Sequence, residues 1–330
     1  MDRAKGNTAD AIDPVRACNV ESQDLPTGRT RGYLVADSVK FGWLSPVIGN
    51  RWSDHQPIVI YQEQHILPTA LQHFDSLWIA DHFYGFDAKT DPFMEAWTTI
   101  TWLAAKFPDV LLCHHVLGHG YRNPALTAKM AATLQVLSGN RFILGIGAGW
   151  RDDEYRAYGY EFPSASVRFA QLEDLIHICR AMWTQPLPSY QGTHFSISEA
   201  AAPPLPSVVP PVCIGASGER VGLPMVGRLA DMWNGWMHDE AQWVHKRDIV
   251  HRSAEAARRD PGSIEISLTV ERPLPATDVD SAVLREKLEH LTTLGISHFV
   301  MDFGHPQSVE PVLRYVEQVL QPMQAARPPA

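Results

Sequence analysis

The sequence is short of the features that mark several broad classes of protein. Its four cysteines, Cys18, Cys113, Cys179 and Cys213, are widely separated and no C-x-x-C occurs, so neither a disulfide framework nor a thiolate zinc site is indicated. No apolar stretch approaches the ~18 residues of a membrane span, and the N-terminus has no apolar core of a signal peptide. Basic residues are in deficit: 28 Lys and Arg face 37 Asp and Glu, for a formal net charge of −9. With no basic stripe to neutralise phosphates, nucleic acid is not an expected partner. These absences fit a protein of the reducing cytoplasm. What is present is core-forming material. The 330 residues are 45% hydrophobic and 20% charged, enough for one large domain or two medium ones.

Residues 1–36 are polar and without periodicity, and are expected to form a flexible arm. Residues 325–330, with Pro328-Pro329, read as a disordered tail. Between them, residues 37–324 alternate short apolar runs with helical patterns. The runs are Val39–Leu44, Ser76–Ala80, Val110–Val116, the stretch from Phe142 to Gly149, Pro211–Gly215, Asp231–Trp236, Ile264–Val270 and Ser297–Phe303. Asp91-Pro92 and Asn123-Pro124 each predict a helix start, a capping side chain followed by a proline whose missing N–H costs nothing there. Eight strand-like runs separated by helices describe an α/β fold, a single (β/α)8 TIM barrel. Their near-continuous hydrophobicity suits strands buried on both faces. Two insertions stand out, Arg151–Ser166 after strand 4 and the proline-rich Thr184–Pro210 before strand 5. Both are expected to fold over the barrel mouth as lids. A doubly wound sheet is the alternative, but it wants a phosphate turn after its first strand, and Leu44-Ser45-Pro46 is not one.

The fourth run, FILGIGAGW, places Gly145, Gly147 and Gly149 at alternating positions. The dinucleotide fingerprint G-x-G-x-x-G would put its third glycine where Trp150 stands, so that reading is disfavoured. Two readings remain. The glycines allow close packing of strand and helix, or they leave a flat ledge for a planar ligand at the C-terminal end of a barrel strand. The ledge reading predicts that Gly149→Leu lowers ligand affinity at least ~10-fold while the melting temperature moves little, and the packing reading predicts lowered stability. Trp43, Trp150, Trp233 and Trp236 also fall near strand ends and suggest an aromatic substrate pocket. His114, His115 and His119 crowd the third strand's end. Adjacent strand residues point to opposite faces, and the H-x-H of barrel metal hydrolases is missing from the first strand, so no metal is expected.

In this order, several segments resemble the bacterial-luciferase-like superfamily of flavin- and F420-dependent oxidoreductases. They are Ala80-Asp81-His82-Phe83, Tyr121-Arg122-Asn123-Pro124 with Ala128–Leu134, Arg141–Trp150 with Glu154, Arg168, Trp183, Pro211–Gly218 and Ala230–Asn234. The resemblance implies an isoalloxazine or deazaflavin ring across the barrel mouth. The ring would rest against Cys113, His114, His115 and Val116, where a non-proline cis peptide often occurs, with Asp81 and Gly147, Ala148 and Gly149 also near it. The phosphate would sit at Ala216, Ser217 and Gly218, with Arg220 adding charge. Backbone N–H groups at a helix start bind anions without a cationic side chain. His82 would be the catalytic acid or base, and Trp43, Phe86, Trp150 and Trp236 would line the substrate pocket. The sugar-phosphate dehydrogenases of the F420 branch carry tryptophan where Phe86 stands and an acid where Trp150 stands, which puts sugar-phosphate oxidation in doubt. The implied cofactor is F420, with FMN as the alternative. F420 would mean hydride transfer; FMN would mean monooxygenation fed by a separate reductase. A homodimer is expected. A non-catalytic flavin-binding protein and a metal-dependent barrel hydrolase are the readings from other classes.

Overall fold

The computed structural model describes residues 39–49 and 56–325. The expected N-terminal arm lies outside these residues, as does the expected tail apart from Ala325.

The chain begins with β1 (Lys40–Leu44), α1 (Ile58–His65), α2 (Leu67–Ala70), β2 (Ser76–Ile79), α3 (Ala96–Lys106), β3 (Leu111–His114), β4 (Leu117–Gly118), α4 (Pro124–Leu137), β5 (Phe142–Gly147), α5 (Asp152–Ala157) and α6 (Ala165–Thr184). A two-stranded hairpin follows, β6 (Tyr190–Gln191) with β7 (Ser196–Ile197). Then come β8 (Val212–Gly215), α7 (Gly222–Leu229), β9 (Met232–Gly235), α8 (Glu240–Ala256), β10 (Glu265–Glu271), α9 (Asp278–Thr292), β11 (His298–Asp302), α10 (Glu310–Tyr315) and α11 (Gln321–Ala325). The parallel pairings run β1-β2-β3-β5-β8-β9-β10-β11 and return to β1, closing an eight-stranded barrel with no free edge. This is the expected TIM-type fold. Among the described residues, no helix is long and apolar enough to cross a membrane.

Strand alternation divides the core in two. One set of side chains fills the barrel interior: Trp78, Cys113, Ile143, Cys213, Met232 and Val300 form one cluster. The other set, including Phe41, Trp43, Leu77, Leu112, Phe142, Leu144 and Phe299, packs against the surrounding helices. Below the inner cluster a buried polar chain closes the bottom. Ser76 Oγ lies 2.8 Å from His298 Nε2, His298 Nδ1 lies 2.7 Å from Glu265, and Glu265 pairs with Lys40 at 2.7 Å.

The two expected helix starts fare differently. Asn123 accepts the N–H groups of Ala125 and Leu126 and opens α4 as expected. Asp91-Pro92 does not open a helix. That segment is extended, with Pro92 accepting the Gly49 N–H and Phe93 bridging Ile48. The cap is Glu95, which accepts from Trp97 and Thr98 and starts α3 at Ala96.

The two insertions part company. Arg151–Ser166 opens at the mouth and carries the short helix α5. The proline-rich segment Thr184–Pro210 does not reach the mouth and is no lid. Buried Asp174 on α6 accepts the N–H groups of Thr193, His194 and Phe195 and the Tyr190 hydroxyl. Lys129 and Gln135 on α4 donate to the carbonyls of Ala202 and Val208. The segment is thus stitched along the outside of the helical layer, where its carbonyls find donors that an arch over the mouth would lack.

Candidate active site

At the C-terminal ends of the strands lies a cavity of about 1320 Å³. Three strand ends build one wall. β3 stops at His114, and the chain resumes pairing with β5 as β4 after one extra residue. The register moves from Cys113↔Ile143 to Leu117↔Ile146, a bulge at His115–Val116, whose peptide is cis. Val116 therefore turns into the cavity beside Gly147, Ala148 and Gly149 at the end of β5, and beside Ala216, Ser217 and Gly218 past β8.

The opposite wall is made by the loop after β2 and the segment after β5, tied together by polar contacts. Glu154, fully buried on α5, accepts from His82 Nδ1 at 2.8 Å, from the Tyr121 hydroxyl at 2.7 Å and from the Phe83 N–H. Burial opposes its charge, but these three donors outweigh it and hold the carboxyl below its ordinary value. An ionised carboxylate can only accept, so His82 Nδ1 carries the proton of that bond and Nε2 is left for the cavity. Arg151 donates to the carbonyls of Tyr84 and Gly85, each at 2.9 Å. The Tyr84 hydroxyl donates to Asp153 at 2.7 Å, and burial with this bond pushes the phenol up to about 12. Behind the wall Asp81 accepts two N–H bonds from Arg122 and one from Gly118.

The floor is polar. His115 Nε2 lies 2.8 Å from Thr269 Oγ1, which is in turn linked to Asn234 and through it to Ser267. Desolvation drives the His115 imidazole down to about 4, so it is neutral near pH 7.

Most of the residues singled out from sequence come together here. Asp81, His82, Phe86, His115, Val116, Gly147, Ala148, Gly149, Trp150, Ala216, Ser217, Gly218 and Trp236 all line the cavity. Four do not. Cys113 points into the barrel interior one layer below, where burial raises its thiol well above its ordinary value. His114 has the opposite strand parity and packs outward on Trp97 and Phe142, with ring centroids 4.7 and 5.5 Å away. Burial lowers its imidazole to about 3. Trp43 also faces outward, edge-on to Phe74 at 5.2 Å, and is a core side chain. Arg220 is exposed and lies off the cavity, because α7 begins only at Gly222. His119 turns away to Gln171 on α6. Among the described residues, no three His, Cys, Asp or Glu side chains converge as a metal site.

Sequence reasoning gave no role to Glu154, Arg151 or Phe93. The signal for Glu154 was slight, a carboxylate four residues past Trp150 in a polar segment. Only the fold brings it to His82, 72 positions earlier.

The three glycines have different tasks. A Cβ on Gly145 would collide with the His114 carbonyl. Gly149 has φ of +72°, and a Cβ there would strike the Tyr155 hydroxyl. Gly147 lines the cavity, and its bare Cα also admits Val116, since an added Cβ would lie 3.0 Å from Val116 Cγ2 and 3.3 Å from the Gly215 carbonyl. The expectation that Gly149→Leu would spare stability therefore fails on geometry. That variant should lose about 1–3 kcal/mol of stability, from overpacking and a strained left-handed residue, read as a lower urea midpoint of the ligand-free protein.

With this geometry in place, relatives are informative. The family described as luciferase-like monooxygenase matches residues 61–323, and the chain belongs to it. Over 249 residues the chain is 32% identical to the phthiodiolone/phenolphthiodiolone dimycocerosates ketoreductase of Mycobacterium kansasii, covering 67% of this chain and 66% of that one. Over 161 residues it is 33% identical to the F420-dependent glucose-6-phosphate dehydrogenase of Kineococcus radiotolerans, covering 48% of this chain and 47% of that one. The match thus spans about half the length of the dehydrogenase and just under two thirds of the ketoreductase. Among solved structures, an F420-dependent secondary alcohol dehydrogenase superposes with a TM-score of 0.73 at 18% identity, covering 86% of this chain and 98% of that one. A long-chain alkane monooxygenase gives 0.72 at 12% identity, covering 88% and 92%. At such identities the structural likeness concerns the fold.

Proposed function

We propose that the protein is an F420-dependent oxidoreductase acting on a small organic substrate, with the deazaflavin across the barrel mouth. The observation that carries this reading is His82, fixed by buried Glu154 and presenting one nitrogen to a cavity roomy enough for two organic molecules. The named activities of the sequence relatives support it. The cavity suits a flat cofactor. Val116 and Gly147 leave a smooth surface beside the floor, and a Cβ on Gly218 would meet nothing within 4 Å, leaving the turn before α7 open to a phosphate.

When bound, the deazaflavin supplies or takes up a hydride. The protein's part is the rest. Ala216-Ser217-Gly218 would hold the phosphate through backbone N–H groups and the Ser217 hydroxyl. Val116 and Gly147 would orient the ring. The loop after β2 and the α5 segment shield the reacting face from water. His82 Nε2 would give a proton to, or take one from, the substrate oxygen, while Glu154 holds the imidazole in place.

Titration of the purified protein with F420 and with FMN tests this reading. Tight F420 binding is expected. Binding of FMN alone would replace hydride transfer with the monooxygenase reading, and binding of neither would remove the reading altogether. Ser217→Ala should weaken F420 binding about 10-fold, the scale of one hydrogen bond to a charged group. Gly218→Val should weaken it further while leaving the melting temperature in place, because the new side chain enters open space. Unchanged affinity in both variants would take the phosphate out of this turn.

A further inference from the structure

The wall around His82 has a composition that the proposed chemistry alone does not require. Three aromatic rings meet the imidazole edge-on: Phe86 at 5.1 Å, Trp150 at 5.5 Å and Phe93 at 5.7 Å between centroids. Phe86 and Trp150 lie within 16° of parallel, 6.3 Å apart. Both are costly to leave in water, yet Phe86 is 56% exposed and Trp150 66%. Across the mouth Trp236 is 43% exposed, edge-on to His115 at 5.9 Å. Apolar surface of this size, concentrated at one cavity, marks a surface that a ligand covers.

The collar is also rigid. The Arg151 guanidinium stacks over Tyr84 at 4.3 Å and Phe86 at 5.1 Å while its N–H groups hold the Tyr84 and Gly85 carbonyls. The rings are therefore placed before any ligand arrives, and little side-chain entropy is lost on binding. Nothing in the collar favours an anion. Arg151 is committed to carbonyls and no lysine lines the cavity among the described residues; the charged groups of the cavity lie away from the collar, on the far rim, where Glu271 and Asp302 flank Arg272, whose Nε is buried without a hydrogen-bond partner.

We propose that the collar of Phe86, Phe93, Trp150 and Trp236 recognises the flat apolar body of a neutral ketone or secondary alcohol, aromatic or alicyclic, whose oxygen meets His82 Nε2. This names the substrate class of the reading above and rests on it. A sugar phosphate would present its hydroxyls to three apolar edges, so the collar discriminates against it by desolvation.

Calorimetry with 2-acetylnaphthalene, its carboxylated analogue 6-acetyl-2-naphthoate and glucose 6-phosphate, on the protein with and without F420, decides the matter. The neutral ketone should bind at least about 10-fold more tightly than either anion and quench tryptophan fluorescence. Phe86→Ala and Trp150→Ala should each weaken ketone binding about 10-fold, the loss of one aromatic contact with its buried area, at an unchanged melting temperature. Tighter binding of glucose 6-phosphate or of the naphthoate, or ketone binding indifferent to both substitutions, would overturn the proposal. Because the ketone is also titrated without cofactor, the two readings fail separately. F420 binding with no ketone binding sinks only the collar, whereas ketone binding with neither F420 nor FMN sinks the redox reading.

Discussion

His82→Ala should lower turnover by about 100-fold or more while the dissociation constant for F420 stays within about twofold. Among the described residues, the imidazole is the one at the cavity wall that is fixed by a charged partner and has its second nitrogen left over. The rings of the collar, Phe86, Phe93, Trp150 and Trp236, carry no second proton carrier. The deletion removes a proton-transfer group without disturbing Val116, Gly147 or the Ser217 turn. Single-turnover measurements with bound cofactor separate this outcome from a binding defect. A variant with full turnover would make the histidine structural and return the wall to a packing role.

The barrel was legible because its strands are buried on both faces and its helices carry one apolar side, patterns that a sequence displays directly. Helix starts were legible only where the cap is local. Asn123-Pro124 satisfies its own first turn, but Asp91-Pro92 does not, because Pro92 and Phe93 are claimed by Gly49 and Ile48 more than forty positions earlier. The same limit explains the site. The residues at strand ends, His82, Gly147 and Ser217, follow from knowing where each strand stops. Facing is harder, since strand parity and one bulge decide it. His114 and His115 are adjacent, and only the latter reaches the cavity. Closeness to a strand end suggests Trp43 for the pocket, but the alternation of β1 turns it outward. The sequence suggests a lid in the proline-rich segment, but it does not reveal that Asp174 holds an acceptor and Lys129 a donor ready for it on the outer helices. The three glycines carry the same lesson. Their spacing is regular, yet one avoids a carbonyl, one meets a tyrosine in a left-handed turn, and one faces the cavity.

Glu154→Gln is expected to have the second largest effect, and it distinguishes positioning from mere packing. The amide keeps the size of the side chain, and its oxygen can still accept from Phe83 or Tyr121, but the charge opposite His82 Nδ1 is gone. With nothing to require a proton on Nδ1, both neutral tautomers of His82 become available, and Nε2 is presented correctly only part of the time. Turnover should fall about 10-fold to 100-fold with little change in KM, as for a partner that orients a catalytic base. Nitrogen-15 spectra of the labelled imidazole should show one tautomer in the native protein and a mixture in the variant, which a purely structural role would not produce. Stability carries a second signature. The folded-state value of the Glu154 carboxyl is depressed, so its contribution is present above the unfolded value of about 4.3 and is lost as pH falls through the folded value. The variant lacks this contribution at every pH. Urea midpoints of the two proteins should therefore differ at pH 7, where one buried hydrogen-bonded charge is worth about 1–3 kcal/mol, and converge as the pH falls below the depressed folded-state value of this carboxyl. A gap that stays constant across that range would mean that the Glu154 charge does not hold the two loops together.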